Sequence, residues 1–91
     1  MKTMIRTFLS ASMLLLLNSS AVADDLEGQI ESVDPNSQSL VVQGITFYTT
    51  EATDYDDDLQ SFADLRPGQK VEIDFRFHDG KHHATEIELD H

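Results

Sequence analysis

Val71, Ile73, Phe75 and Phe77 alternate with Glu72, Asp74, Arg76 and His78. Successive side chains on a strand point to opposite faces, so this stretch forms a strand with one apolar and one polar face. Asp79-Gly80 signals a hairpin turn, and Lys81 to Leu89 is the return strand, with Thr85, Ile87 and Leu89 alternating with Glu86 and Glu88. Such a hairpin must bury its apolar face against other strands. Parity constrains it further. A two-residue turn would pair His78 with Lys81 and, continued, would set Ile73 opposite Glu86. One additional residue restores the match of apolar with apolar. The pattern therefore predicts a three-residue bulged turn with Gly80 left-handed. In that register His78 and His82 share the outer face, while His83 points inward toward Phe75 and Phe77.

The rest of the chain supplies the partners. Leu26 to Val33 reads as a first strand, with Gly28 marking a bend or bulge. Asp34-Pro35-Asn36-Ser37 is a turn, because Pro presets φ and the Asp and Asn side chains bond the local backbone. Ser39 to Gln43 is a second strand, which Gly44 ends, and Ile45 to Thr50 is a third, rich in β-branched and aromatic residues. The charge run Asp54 to Asp58 shows no apolar period. Leu59, Phe62, Ala63 and Leu65 then follow at helical spacing, with Asp57 and Gln60 placed as a capping box and Arg66-Pro67-Gly68 as the stop. The expected fold is all-β: a small five- to six-stranded OB-like barrel with one short helix between strands 3 and 4. Its expected core is Leu26, Ile30, Leu40, Val42, Phe47, Leu59, Phe62, Val71, Ile73, Phe75, Ile87 and Leu89.

The first 23 residues have a different character. Lys2 and Arg6 precede an apolar run from Phe8 to Leu17, and Ala21-Val22-Ala23 offers an A-x-A cleavage site. This order describes a secretory signal peptide over residues 1–23, with one domain over residues 24–91. The apolar run is too short to span a bilayer as a helix, so the mature form is expected to have no membrane span and to be periplasmic or secreted. All 17 acidic residues but only four of the six basic ones lie after Ala23, which gives the mature chain a formal charge of −13. That charge disfavours nucleic acid and favours a metal ion or a basic envelope protein as partner. The chain has no cysteine, which excludes disulfides, thiolate ligands and a thiol nucleophile.

Several segments, taken in order, resemble one known family. They are Gly28-x-Ile30-x-Ser32-Val33-Asp34, Ser39-Leu40-Val41-Val42, Thr53, Leu65-x-x-Gly68-x-x-Val71-Glu72-Ile73, Asp79-Gly80 and Ala84-Thr85-x-Ile87-Glu88. Together they are similar to an exported bacterial family catalogued as domain of unknown function 5666. The resemblance implies an OB-like barrel and no assigned activity. Leu65 to Val71, followed by an aromatic strand and Gly80, is more loosely similar to the small periplasmic copper- and silver-binding barrels of efflux systems. The His, Met and Trp constellation of those barrels is missing, since the chain has no Trp, its three Met residues all lie in the leader, and strands 2 and 3 contain no His.

The candidate chemistry lies in the last hairpin. His78, Asp79 and His82 form a candidate site for a divalent metal ion, because imidazole and carboxylate are common ligands for transition metals. His82 and His83 stand where the resembled family carries ordinary strand residues. Asp54-x-Asp56-x-Asp58 opens like a calcium loop, but Leu59 replaces the required Gly and Leu65 the required bidentate Glu. Neither a Ser-His-Asp nor an HExxH arrangement is present, so the chain is expected not to be an enzyme. The sequence thus describes an exported non-catalytic binding or accessory domain of the cell envelope. The alternative is a periplasmic divalent-metal-binding protein that uses the His-containing C-terminal hairpin.

Overall fold

The computed structural model describes residues 22–56 and 58–90. The leader expected over residues 1–23 falls outside them except for Val22 and Ala23. Six strands follow in order: β1 (Val22–Asp34), β2 (Ser39–Val42), β3 (Ile45–Tyr48), β4 (Asp54–Asp56), β5 (Lys70–His78) and β6 (Lys81–Leu89). They form one sheet in the order β3-β2-β1-β5-β6-β4. β3 also pairs in parallel with β6, through Phe47 with His82 and Tyr48 with His83. That pairing closes five strands into a hydrogen-bonded ring. β4 continues the same edge of β6 in parallel, through Asp54 with Glu86, Tyr55 with Ile87 and Asp56 with Glu88. The short strand β4 lies inside the charge run that has no apolar period, because three residues are too few to show one.

The hairpin differs from the expected register. Asp79 and Gly80 have φ of 54° and 76° and make a two-residue turn, which pairs His78 with Lys81, Phe77 with His82 and Arg76 with His83. Two consecutive positive-φ residues give a turn whose twist matches that of its strands. The additional residue sits within β6 instead. The register shifts between Asp74 and Phe75, so that Phe75 faces Ala84 while Asp74 faces Glu86 and Ile73 faces Ile87. Thr85 is the bulged residue, and its hydroxyl donates to the Asp74 carbonyl at 3.1 Å. The parity argument was right that one more residue is needed and wrong about its position. As a result His82, not His83, lies on the inner face.

The buried core is Ile30, Leu40, Val42, Phe47, Leu59, Leu65, Val71, Ile73, Ala84 and Ile87. Leu26, Phe62, Phe75 and Leu89, expected within it, pack against it partly buried. Ala84 joins the core because the bulge turns it inward and sends Thr85 out to solvent. Gly28 is needed for close approach: a Cβ there would lie 2.8 Å from Val42 Cγ1. The expected helix over Leu59 to Leu65 is reduced to a 3-10 turn, Phe62–Asp64, that follows β4. Its N-cap is Ser61, whose hydroxyl accepts from the Ala63 N–H at 3.3 Å. Of the expected capping box, Asp57 lies outside the described residues. Leu59 and Leu65, at either end of the segment, are both buried, so the chain dips into the core twice within seven residues and leaves little room for a longer helix.

Candidate functional site

Three regions of the surface carry chemistry, and the first is the tip of the β5–β6 hairpin. His78 Nε2 lies 3.2 Å from Asp79 Oδ2, and both side chains are more than half exposed, at 58% and 84%. His82, the third residue of the sequence-derived triad, is on the opposite face. Its ring packs against Phe77, Phe75 and Phe47, with centroids 4.8, 5.4 and 5.7 Å away. The imidazole that shares the outer face with His78 is His83, with the ring centroids 6.4 Å apart. His83 Nε2 is 3.2 Å from the His78 carbonyl oxygen, and its ring lies 6.5 Å from Tyr48, over which Lys81 Nζ sits at 5.0 Å. The structure therefore brings His78 and Asp79 together, adds His83 and sets His82 apart. His91 lies outside the described residues.

The second region is the outer face of the sheet away from that tip. Cross-strand pairing sets Asp25 opposite Asp74, Glu27 opposite Glu72, Glu72 opposite Glu88 and Asp74 opposite Glu86. β4 adds Asp54 opposite Glu86 and Asp56 opposite Glu88. Like charges facing each other across a ladder are destabilising. In two triads, Asp25–Glu72–Asp74 and Asp56–Glu86–Glu88, one oxygen from each carboxylate lies within 4.8 Å of the other two. A hydrogen bond with Asp56 and the charge of Asp56, followed by lost hydration and the charges of Asp74 and Glu88, push Glu86 up to about 7. Lost hydration, with the hydrogen bond and charge of Asp25 and the charges of Glu88 and Glu27, raises Glu72 as well. Sequence reasoning missed these triads. Their signal was the acidic alternation Glu72/Asp74 and Glu86/Glu88, read there only as the polar side of two strands.

The third region is an open cleft of about 930 Å³ between the β1–β2 turn, the β3–β4 connection and the 3-10 turn. Its floor is pinned by two buried threonines. Thr49 Oγ1 donates to the Gln38 carbonyl at 2.8 Å, and Thr53 Oγ1 donates to the Ala84 carbonyl at 2.8 Å while accepting from the Thr50 N–H at 2.9 Å. Val33, Pro35 and Phe62 give the walls apolar surface, and Tyr55 and Gln60 are among the polar groups of the lining. Burial raises the Tyr55 phenol above its usual range, partly offset by the Thr49 side chain beside it. Sequence reasoning assigned Phe62 to the core and did not find the cleft, which is assembled from three separate segments of the chain.

The sequence profile described as Domain of unknown function (DUF5666) matches residues 27–88. The chain belongs to this family. No curated protein matches the sequence. Among solved structures, the DUF5666 chain is similar to apo-CusF residues 6–88 from Escherichia coli, with a TM-score of 0.65 and 13% identity over 80% of this chain and 93% of that one. It is similar to CusF-Ag(I) residues 10–88 from Escherichia coli, with a TM-score of 0.64 and 13% identity over 78% and 95%. It is also similar to the fimbrial biogenesis protein PilY2 from Pseudomonas aeruginosa PAO1, with a TM-score of 0.65 and 13% identity over 76% and 88%. At this identity the likeness shows the fold alone.

The DUF5666 chain does not carry the soft-metal constellation implied by the looser sequence resemblance. β2 and β3 present Ser39 to Val42 and Ile45 to Tyr48, with neither His nor Met among them. Among the described residues its imidazoles, His78, His82 and His83, come from the β5–β6 hairpin. Among the described residues no helix is long and apolar enough to cross a membrane.

Proposed function

We propose that the mature chain is an exported, non-catalytic binding or accessory domain of the bacterial cell envelope. The observation that carries this reading is the open cleft, built from three connections and held by buried threonine hydrogen bonds on a closed sheet. Cavities of about 300–1,000 Å³ on a rigid frame are the usual form of small-ligand sites. Cleavage after Ala23 fits the same reading, and mass spectrometry of the exported protein should give a chain that starts at Asp24. The binding test uses the 15N-labelled domain and fractionated envelope extract. Saturable amide shifts around Thr50, Tyr55 and Phe62 support the reading. Extract fractions that shift no amide saturably refute it.

A second reading is favoured by the His78–Asp79 contact. It places a divalent transition metal at the hairpin tip, held by His78 and Asp79. The original third ligand, His82, would have to leave its contacts with three phenylalanines, whereas His83 already lies beside His78. Titration with zinc, copper and nickel at neutral pH tests this. Saturable binding that His83→Ala abolishes and His82→Ala preserves supports a site on the outer face. Binding should weaken as pH falls through the imidazole range, because protonated His cannot ligate. No saturable binding at neutral pH removes the reading.

A further inference from the structure

The cleft differs from the rest of this acidic molecule in charge. The chain carries 17 acidic residues, yet among the described residues that line the cleft the one carboxylate is Glu51. Among the described residues no Lys, Arg or His lines it. A cationic ligand would gain more on the carboxylate face of β5 and β6, and an anionic ligand would meet Glu51 in a strongly negative field with no cation to receive it. The charge pattern selects a neutral ligand.

The polar groups narrow the class further. Thr49 and Thr53 donate inward to backbone carbonyls, so their hydroxyl protons are committed. Thr50 and Ser61 are arranged the other way. Thr50 Oγ1 accepts from the Ala52 N–H at 3.1 Å and Ser61 Oγ accepts from the Ala63 N–H at 3.3 Å. Each hydroxyl accepts from the backbone and keeps its proton for an outside acceptor. Both residues are exposed, as is Gln60, whose side-chain amide can donate and accept. The half-buried Phe62, with Val33 and the exposed Pro35, places apolar surface beside these groups.

The backbone around the cleft is bonded internally. Thr49 N–H donates to Gln38 O, Thr53 N–H to Thr50 O and Leu59 N–H to Asp56 O, at 2.9, 3.1 and 3.2 Å. An extended peptide binding as an added strand needs a long row of unpaired backbone groups, and the open edge that β4 presents here is only three residues long. A ligand here meets side chains: outward hydroxyls and an amide around an apolar ring. Sugar rings have the matching surface, with apolar C–H faces and a rim of hydroxyls that donate and accept.

We infer that the cleft between Pro35, Thr50, Tyr55, Gln60 and Phe62 binds a neutral oligosaccharide. The inference rests on the binding-domain reading and names the ligand class for that site. The volume, near the upper end of the usual range for small-ligand sites, suits a short oligomer.

The test is an NMR titration of the mature domain with three tetrasaccharides and one peptide. The probes are chitotetraose (neutral), its fully deacetylated form (cationic), tetragalacturonate (anionic) and N-acetyl-tetraalanine amide. Chitotetraose should give saturable shifts at Thr50, Tyr55, Ser61 and Phe62, and neither charged oligomer should match it there. Thr50→Val removes one outward hydroxyl at nearly constant volume and should weaken chitotetraose binding about two- to tenfold, the range for one uncharged hydrogen bond. Gln60→Ala, at an exposed position, should weaken it similarly without changing the melting temperature. Equal or tighter cleft binding by a charged oligomer overturns the inference. Cleft shifts with the peptide and none with chitotetraose overturn the ligand class and leave the binding-domain reading standing. A cleft silent to every probe also overturns the inference, and the envelope-extract experiment then decides the broader reading separately.

Discussion

Thr53→Val replaces a hydroxyl by a methyl at nearly constant shape and removes the bond that bridges a gap in the ring. β3 pairs with β6 at His82 and His83, and β4 resumes at Glu86. Between them the Thr53 hydroxyl donates to the Ala84 carbonyl at 2.8 Å, while Thr53 Oγ1 accepts from the Thr50 N–H at 2.9 Å. Thr53 and Ala84 are both buried. Thr50 is exposed, so water can replace its lost acceptor. The Ala84 carbonyl is enclosed and would be left unpaired, which costs about 1–3 kcal/mol. For a domain of this size each kcal/mol moves the midpoint by about 4–8 °C. Thermal and urea unfolding of the domain should therefore show a melting temperature lower by about 4–24 °C, with an unchanged urea slope. Thr50→Val is the control, because its hydroxyl accepts from the exposed Ala52 N–H, and it should change stability by less than about 0.5 kcal/mol. Equal effects of the two substitutions would show that the Ala84 carbonyl is solvated and that the bridge is not what holds β3 and β4 against β6.

Gly28→Ala should destabilise the domain by about 1–3 kcal/mol in urea unfolding, because the new Cβ meets Val42 Cγ1 at 2.8 Å and Val42 is fully buried. A neutral result would show that Val42 can shift. Phe47→Ala should cost about 3–5 kcal/mol and Phe75→Ala clearly less, since Phe47 is fully buried and Phe75, packed edge-on against it at 5.1 Å, is only partly so. The reverse order, measured by the same assay, would place the wrong ring at the centre of the core. Folding raises the Glu86 carboxyl from 4.5 to about 7, so the native state binds more protons than the unfolded chain between those values. Stability should accordingly increase as pH falls from about 7 towards 5, and Glu86→Gln should flatten that dependence. A urea midpoint that drops on the same acidification would refute the raised affinity of Glu86 for its proton.

Much of the frame was legible in local pattern. The alternation in Val71 to Phe77 identifies a strand and its inner face, and Asp79-Gly80 identifies the turn, because side-chain periodicity and φ preference are properties of neighbouring residues. The charge balance is read the same way. Position along a ladder is not. Parity demanded one additional residue between Phe75 and Ile87, but a bulge at the turn and a bulge at Thr85 satisfy it equally. The two-residue turn keeps its own favourable twist and leaves the misfit to the strand. That choice reversed the faces of His82 and His83 and so changed which imidazole stands beside His78. The parallel edge that β3 and β4 share on β6, the Thr53 bridge between them and the cleft above it also depend on ring closure. They join residues more than 30 positions apart, such as Thr53 and Ala84. No short-range pattern encodes such a contact. It forms only when the closed sheet brings both segments to the same edge.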